Sequence, residues 1–287
     1  DERPQTCRTM NDSIRIIRVP FDSGHESWRM GKGPVALTGD QMLAEGPGVS
    51  EVRDVRLSPG IRYEMEATLE LHRLVAAEVA ESHESGETPV IFSGNCNVPA
   101  VAVAAASEGP LGSVWFDAHG DFNTAETSPS GFIDGMALSA VTGSVWQAAL
   151  SSVPGFSAMD SRNVVLVGAR DLDPEEERRL RESDIRWIVP DDLDSLGSAL
   201  DDLARSVDRI YLHLDLDVLD PGELTSNQYA APAGLKVGQL LEALSEIDRR
   251  FEIVGVGIAA YDPASDEANR GPSIVKSILD RLFGHRS

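Results

Sequence analysis

The 287-residue sequence is poor in positive charge, and lysine is the rarest of its charged residues. It has 25 lysines and arginines against 47 aspartates and glutamates, which gives a formal net charge of −22. The three lysines are Lys32, Lys236 and Lys276. A surface of this charge repels nucleic acid and anionic membranes, so we expect neither as a partner.

Cysteine and long apolar runs are scarce as well. The two cysteines, Cys7 and Cys96, are too few for a disulfide framework. The sequence also lacks an apolar run of the roughly 18 residues that a membrane-spanning helix needs. These features favour a cytoplasmic protein. Residues 1–13 are polar and unpatterned, and we predict a flexible N-terminal segment there.

The remaining chain alternates between apolar, strand-like runs and segments with helical periodicity. Strands are predicted at residues 14–19, 88–93, 112–116, 163–168, 185–189, 209–217 and 251–258. Helices are predicted at residues 64–80, 196–206, 237–249 and 273–283. Since no linker or internal repeat interrupts this alternation, residues 14–287 are expected to form one domain. Its fold class would be a three-layer α/β/α arrangement with a mainly parallel central sheet.

A polar cluster follows the strand predicted at residues 112–116. It is the segment Asp117-Ala-His-Gly-Asp121, with two carboxylates and an imidazole at alternate positions. In an extended chain, Asp117, His119 and Asp121 would point to one face. These oxygen and nitrogen donors suit a divalent metal ion. Taken alone, such a segment is also typical of solvated loops and of capped helix starts.

A second acidic cluster ends the strand predicted at residues 209–217. In that strand Asp215 and Asp217 would share one face, with Leu214 and Leu216 on the other. Ligands of parallel α/β sheets bind at the carboxyl ends of the strands, where both clusters are predicted. Five converging ligands therefore predict a site for two metal ions.

Both clusters resemble signatures of the arginase/ureohydrolase family. Asp117-Ala-His-Gly-Asp121 is similar to the family's Asp-Ala-His-x-Asp, and residues 215–221 are similar to its Asp-x-Asp-x-x-Asp-Pro. The resemblance covers nearly the whole chain and implies hydrolysis of a guanidino C–N bond by water activated between two Mn²⁺ ions. It implies that Asp117 and Asp215 bridge the ions, that Asp121 binds one ion, and that His119 and Asp217 bind the other. Family members are often oligomers, which leaves a homo-oligomer open.

The same resemblance extends to the residues that would bind a substrate. Residues 123–131 align without gaps with the arginase loop that holds the α-carboxylate of the amino acid, which indicates Asn123, Ser128 and Ser130. Asp173 and Glu176 match positions that hold the α-ammonium group. The implied partner is a small guanidino amino acid. The alternatives are a soluble loop for the two serines and a helix cap for Asp173, which precedes a proline.

Two departures from the family concern the metals and the proton transfer. The family's Gly-Gly-Asp-His turn reads Ser93-Gly-Asn-Cys96 here, so a cysteine replaces a metal-binding histidine. Cys96 could bind as a thiolate, which leaves divalent metals other than Mn²⁺ open, or could be a small buried residue beside a weakened site. Asp134 replaces the histidine that carries protons, and an ordinary aspartate pKa of about 3.9 suits that task poorly. His213 could substitute for it or be a core residue. Asp121, Asp134 and His213 are the catalytic candidates.

The third departure concerns the guanidinium itself. Ala260 stands where the family has the glutamate that pairs with this cation. The three departures predict a less basic, activated substrate, with Nω-hydroxy-L-arginine as the first candidate. Cys96 and the loss of the shuttle histidine also resemble the branch of the family that hydrolyses this compound in D-cycloserine biosynthesis, although Ala260 departs from that branch too. The alternatives are an ordinary arginase or other ureohydrolase, and a non-catalytic amino-acid-binding protein of the same fold.

Overall fold

The strands form one large parallel sheet and one small hairpin in this computed structural model, which describes residues 13–39 and 47–284. The strands are β1 (Ile14–Val19), β2 (Phe21–Asp22), β3 (His25–Glu26), β4 (Val49–Asp54), β5 (Thr88–Ser93), β6 (Gly112–Phe116), β7 (Val164–Val167), β8 (Arg186–Ile188), β9 (Arg209–Asp215) and β10 (Glu252–Ala259). Eight of them form the parallel sheet, in the order β4-β1-β5-β10-β9-β6-β7-β8. Strands β2 and β3 pair antiparallel.

Helices cover both faces of the sheet. They are α1 (Gly33–Leu37), α2 (Glu64–Glu84), α3 (Asn97–Ala106), α4 (Ala137–Val141), α5 (Gln147–Leu150), α6 (Pro174–Glu182), α7 (Leu196–Leu203), α8 (Val237–Asp248) and α9 (Gly271–Phe283). One face packs against α1, α7, α8 and α9, and the other against α2 to α6. No helix within the described residues is both long and apolar enough to cross a membrane.

The core is divided between two layers because side chains alternate along each strand. In β1, Ile14 and Ile16 belong to one buried cluster, whereas Ile17 and Val19 belong to the other. Strands buried on both faces are expected to be continuously apolar, and most strands of the sheet are indeed apolar runs in the sequence. The predicted single-domain, three-layer α/β/α fold is confirmed.

Several predicted boundaries change in the structure. The strand predicted at residues 209–217 ends at Asp215, and a 3₁₀ turn at Leu216–Val218 follows it. The helix predicted at 64–80 continues to Glu84, and the one predicted at 196–206 ends at Leu203. Strand β4 was not predicted, since Val49 and Val52 are its only apolar residues and it lacks the apolar run of the other strands. The flexible segment predicted at residues 1–13 lies outside the described residues except for Ser13.

Strand order positions the functional site. Strands β5, β10, β9 and β6 are adjacent in the centre of the sheet, so their carboxyl ends lie side by side. The segments that leave these four ends carry Cys96, Ala260, Asp215 and Asp117. Residues that are far apart in the sequence therefore meet at one edge, as ligand-binding residues do in parallel α/β sheets.

Candidate metal centre and substrate cavity

A tight turn after β6 arranges the first acidic cluster. The Asp117 N–H donates to Val167 O at 3.1 Å, and Asp117 Oδ1 accepts from the His119 N–H at 2.7 Å. Asp121 has a left-handed backbone, with φ of 49°. The three side chains therefore converge because the chain turns. The predicted extended alternation through residues 117–121 is wrong, although the same residues lie together.

A comparable turn follows β9. Asp215 Oδ1 accepts from the Asp217 N–H at 2.8 Å, which closes the 3₁₀ turn. The expectation that Asp215 and Asp217 share a face of one strand is thus wrong as well. The two carboxylates are brought together because the Asp215 side chain accepts a hydrogen bond from the backbone N–H two residues later, a common turn for aspartate.

Cys96 lies at the start of α3, in a turn that leaves β5. A Cβ atom at Gly94 would lie 2.3 Å from Phe21 O, so the turn can pack against β2 only with glycine there. Asp134 holds the next residues, because its carboxylate accepts four hydrogen bonds, from Cys96 N, Asn97 N, Asn97 Nδ2 and Asn95 Nδ2, at 2.7–3.2 Å. Burial raises the pKa of Asp134 to about 7, even though these hydrogen bonds act in the opposite direction.

Two groups of potential metal ligands share Asp117. The first has Cys96, Asp117, Asp121 and His213, and the second has Asp117, His119 and Asp217, with one ligand atom from each residue within 4.8 Å of the others in its group. Asp215 joins them, since its Oδ2 accepts from the Cys96 thiol at 3.2 Å. The six predicted ligands therefore lie at one place, and Asp117 lies between the two groups as a bridging ligand would.

Burial and like charge dominate the electrostatics of this cluster. Burial raises the pKa of Asp117, Asp121 and Asp215, and neighbouring carboxylates raise it further. For Asp217 burial acts in the same direction, but the charge of His119 and the hydrogen bonds with His119, Asp215 and the Ala118 N–H together outweigh it and lower the pKa to about 2. Burial, with the nearby Asp134 and Asp215, also raises the pKa of the Cys96 thiol.

These groups suit divalent cations. Carboxylates that are buried together are held in their charged form only by an opposing charge, and a bound metal replaces their protons. Asp121 Oδ2 is buried and has no hydrogen-bond partner among the described residues, which is expensive unless a cation binds it. Both the donor types and the unpaired oxygen therefore fit a two-metal centre.

Three groups outside the predicted set support the ligands. Trp115 Nε1 donates to Asp117 Oδ2 at 3.2 Å, and the Ala118 N–H donates to Asp217 Oδ1 at 3.1 Å. Asn227 Nδ2 donates to Asp217 Oδ2 at 3.2 Å and to Ala260 O at 2.8 Å. Sequence reasoning missed Asn227 because it lies in an irregular segment with no motif of its own. Such contacts orient metal ligands and raise their affinity.

A cavity of about 270 Å³ opens above the cluster. Its walls include all five residues predicted to bind substrate, namely Asn123, Ser128, Ser130, Asp173 and Glu176. They also include Asp134 and Ala260, together with Met30 and Tyr229, which belong to none of the sequence motifs. The loop and the helix start that were predicted to hold an amino acid thus face the same space as the metal ligands.

The side of the cavity near α6 carries two acidic groups. Asp173 precedes the helix, but its side chain caps none of the described backbone N–H groups; instead Asp173 Oδ2 accepts from Asn123 Nδ2 at 3.0 Å. Glu176 Oε1 accepts from the Phe122 N–H at 2.8 Å, and burial raises the Glu176 pKa to about 7. The Asp173 side chain therefore does not cap the helix, and both acids line a cavity that suits a cation.

Ala260 and His213 occupy contrasting positions. Ala260 follows β10 with a left-handed backbone, φ of 59°, and is one of the residues that line the cavity. His213 lies in β9, fully buried and not among the described residues that line the cavity. The catalytic role predicted for His213 stays a prediction, as do those of Asp121 and Asp134.

A family model described as the arginase family matches residues 12–284. The chain belongs to the arginase family. Its predicted enzyme class, a hydrolase of C–N bonds in linear amidines, is thereby confirmed. Among curated relatives, the arginase of Bacillus caldovelox is 29% identical over 300 residues, covering 95% of this chain and 98% of its own. The arginase of Staphylococcus aureus strain MSSA476 is 30% identical over 300 residues, covering 96% and 98%.

Solved structures agree with this assignment. The Bacillus caldovelox arginase structure matches with a TM-score of 0.84 at 28% identity, covering 95% of this chain and 98% of that one. Formimidoylglutamase from Bacillus subtilis matches with a TM-score of 0.77 at 17% identity, covering 95% and 86%. At that lower identity the likeness shows the fold alone, so the family's shared architecture does not identify the substrate.

Proposed function

We propose that this protein is a dimanganese amidinohydrolase that acts on an Nω-modified L-arginine, with Nω-hydroxy-L-arginine as the first candidate. Water adds to the guanidino carbon, the bond from that carbon to the ornithine nitrogen breaks, and the proton passes to that nitrogen. The products are L-ornithine and hydroxyurea. The observation that carries the proposal is Ala260, an alanine among the residues that line the cavity with the predicted metal ligands.

Ala260 distinguishes substrates by basicity. Arginine carries a delocalised positive charge that is not lost in proteins, and its burial is costly without a paired carboxylate. An Nω-hydroxyguanidine is less basic because the hydroxyl group withdraws electrons, so it can enter the site uncharged. A methyl group at Ala260 tolerates this neutral group better than it tolerates a cation.

Cys96 favours the same class of substrate. The metal ligands would be Cys96, Asp117, Asp121 and Asp215 for one ion and Asp117, His119, Asp215 and Asp217 for the other, and when bound the ions would supply an activated water. Four carboxylates and one thiolate oppose four positive charges with five negative ones. A donor set of this charge makes weaker Lewis acids than one with neutral histidine in place of Cys96, which suits an activated substrate.

The cavity wall binds the amino-acid end. Asp173 and Glu176 offer carboxylates to an α-ammonium group, and a cation there would draw the raised pKa of Glu176 back down. Asn123, Ser128 and Ser130 offer an amide and two hydroxyl groups to the α-carboxylate. The identity of Mn²⁺, a homo-oligomeric assembly, a cytoplasmic location and a place in antibiotic biosynthesis stay predictions.

One specific observation favours a second candidate, an ordinary arginase: the curated relatives at 29–30% identity carry that name. The test is ornithine release by protein loaded anaerobically with Mn²⁺, with L-arginine and Nω-hydroxy-L-arginine assayed side by side. We expect a higher kcat/KM for the hydroxylated substrate. Preference for arginine would overturn the proposal in favour of an arginase.

A matched control separates catalysis by the site from contamination. Asp121→Asn keeps the size of the side chain but removes a metal ligand, so it should abolish ornithine release from either substrate. An Asp191→Asn variant changes an exposed acid that does not line this cavity and should leave the rates unchanged. Activity that survives Asp121→Asn would show that the assigned centre is not the catalytic one.

A further inference from the structure

We propose that His213 is a metal ligand, and that its Nε2 supplies the imidazole donor which the ion beside Cys96 would otherwise lack. The inference rests on the two-metal centre of the proposed function, but not on the identity of the substrate. In this role His213 would bind metal at the base of the site and would not carry out the proton transfer for which the sequence made it a candidate.

The first observation is position. His213 offers a ring nitrogen within 4.8 Å of one ligand atom each from Cys96, Asp117 and Asp121, and all four residues are buried. Metal–ligand bonds are about 2.0–2.3 Å long, so two ligands on opposite sides of one ion lie about 4–4.6 Å apart. The four donors therefore need only small side-chain adjustments to share an ion.

The second observation is an unpaired nitrogen. His213 Nε2 is buried and has no hydrogen-bond partner among the described residues, and the same is true of Asp121 Oδ2 in the same group. Leaving a buried polar atom unpaired is costly, so each such atom needs an explanation. One cation held by this ligand group would satisfy both atoms at once.

The third observation is support for the ring. His213 Nδ1 lies 2.7 Å from Tyr211 Oη, and Trp115 stacks on the imidazole with ring centroids 3.8 Å apart. A Cβ atom at position 257 would lie 2.1 Å from Tyr211 Oη, so Gly257 makes room for that hydroxyl. Metal-binding histidines characteristically donate their second N–H to such a partner, which leaves the other nitrogen free to bind.

Trp115 connects this support to the bridging ligand. It stacks on His213 and also donates from Nε1 to Asp117 Oδ2 at 3.2 Å. One indole thus orients two side chains of the same ligand group. This arrangement explains how the site tolerates cysteine at position 96. Cys96, at the start of α3, is shorter than histidine, and His213 in β9 would supply the imidazole ligand instead.

The test uses Co²⁺ as a spectroscopic probe in anaerobic protein. Each histidine bound to high-spin Co²⁺ gives one strongly shifted, exchangeable imidazole N–H signal in the proton NMR spectrum. We expect two such signals from the wild-type protein, from His119 and His213. His213→Ser should lose one signal and weaken the binding of one of two Co²⁺ ions by 100-fold or more, measured by titration with a competing chelator.

His72→Asn is the matched control. His72 is also fully buried with one unpaired ring nitrogen, but it is outside both ligand groups. It should lower the melting temperature without changing either the shifted signals or the Co²⁺ affinity. The count of signals in the wild-type protein needs no variant, so it decides the question even if His213→Ser does not fold.

One shifted signal in wild-type protein that binds two Co²⁺ ions would overturn the proposal, as would unchanged Co²⁺ binding in His213→Ser. Neither result would affect the proposed reaction, which is tested by ornithine release. Conversely, a wild-type protein that gives two signals but hydrolyses neither substrate would support the ligand and contradict the proposed function.

Discussion

The role of Ala260 can be tested by restoring a carboxylate. In the Ala260→Glu variant, we expect the new side chain to extend into the cavity that Ala260 lines. The backbone there is left-handed, but a non-glycine residue already adopts it, so one side chain replaces another with little added strain. The Asn227 hydrogen bond to the Ala260 carbonyl does not depend on the side chain and should persist.

The expected effect follows from the charge of the substrate. A hydrogen bond to a charged partner contributes about 1.5–3 kcal/mol, and each 1.4 kcal/mol changes a rate or binding constant about tenfold. The new carboxylate would pair with the guanidinium of arginine but gain little from a neutral hydroxyguanidine. We therefore expect the ratio of kcat/KM for L-arginine to that for Nω-hydroxy-L-arginine to rise by about 10- to 100-fold.

The assay is ornithine release with each substrate, and Ala260→Gln is the control. Glutamine has the size and hydrogen-bonding reach of glutamate without its charge, so it separates pairing with a cation from filling of the cavity. The Co²⁺ or Mn²⁺ content of both variants must equal that of the wild-type protein, because a new acid near the cluster could bind metal itself. We expect glutamine to lower both rates without changing their ratio.

Two results would refute this reasoning. If Ala260→Glu left the ratio unchanged while metal content stayed normal, the missing carboxylate would not be what selects the substrate. If Ala260→Gln shifted the ratio as much as Ala260→Glu, then shape and not charge would decide it. Either outcome would remove the main support for a modified arginine.

Three further expectations concern metal binding and stability. Cys96→Ser should abolish the near-ultraviolet thiolate charge-transfer band of the Co²⁺-loaded protein, and an unchanged band would show that Cys96 does not bind metal. Asp134→Asn should lower the free energy of unfolding in urea by about 1–3 kcal/mol, because an amide cannot accept all four hydrogen bonds of this carboxylate; an equal stability would contradict that account of the turn. Burial raises the pKa of Glu176 to about 7, so the metal-free folded protein keeps a proton that the unfolded chain releases above about pH 4. The stabilisation that this bound proton gives the folded protein is lost as pH rises from about 4 to about 7. The melting temperature of Glu176→Gln minus that of the wild type should therefore increase over this range, and a decrease would contradict the raised pKa.

The sequence predicts the fold well because its signals are local. Strands buried on both faces are continuous apolar runs, so β1, β5 and β6 begin and end where those runs do. Strand β4 was missed because it lies at the edge of the sheet, where none of its residues is fully buried and Glu51, Arg53 and other polar residues are accommodated. Its hydrophobic pattern is therefore too weak to stand out.

The site is harder to predict than its residue list suggests. The residues predicted as metal ligands do lie together, but the expected strand alternation is not what brings them together: a positive φ at Asp121 and hydrogen bonds that Asp117 and Asp215 accept from nearby N–H groups replace it. Backbone turns of this kind depend on side-chain geometry that periodicity does not encode. The hydrogen bond of Asn227 to a metal-ligand candidate and the stacking of Trp115 on His213 are contacts between separate segments of the chain. No local sequence pattern predicts such contacts.

The departures from the family pattern are connected in space, and this affects how each should be interpreted. The carboxylate that the family carries at position 95 is an amide here, and Asn95 donates to the carboxylate that Asp134 brings in place of a histidine. In the same way, the imidazole absent at position 96 has its proposed counterpart in His213, which has a ring nitrogen near the same ligand group and an unpaired Nε2. Each of these exchanges moves a functional group from one side chain to a neighbour, and so can preserve a working metal centre. Ala260 differs in kind, because it changes the wall that the substrate touches. A change in substrate is therefore best sought at Ala260, and a change in metal chemistry at Cys96 and His213.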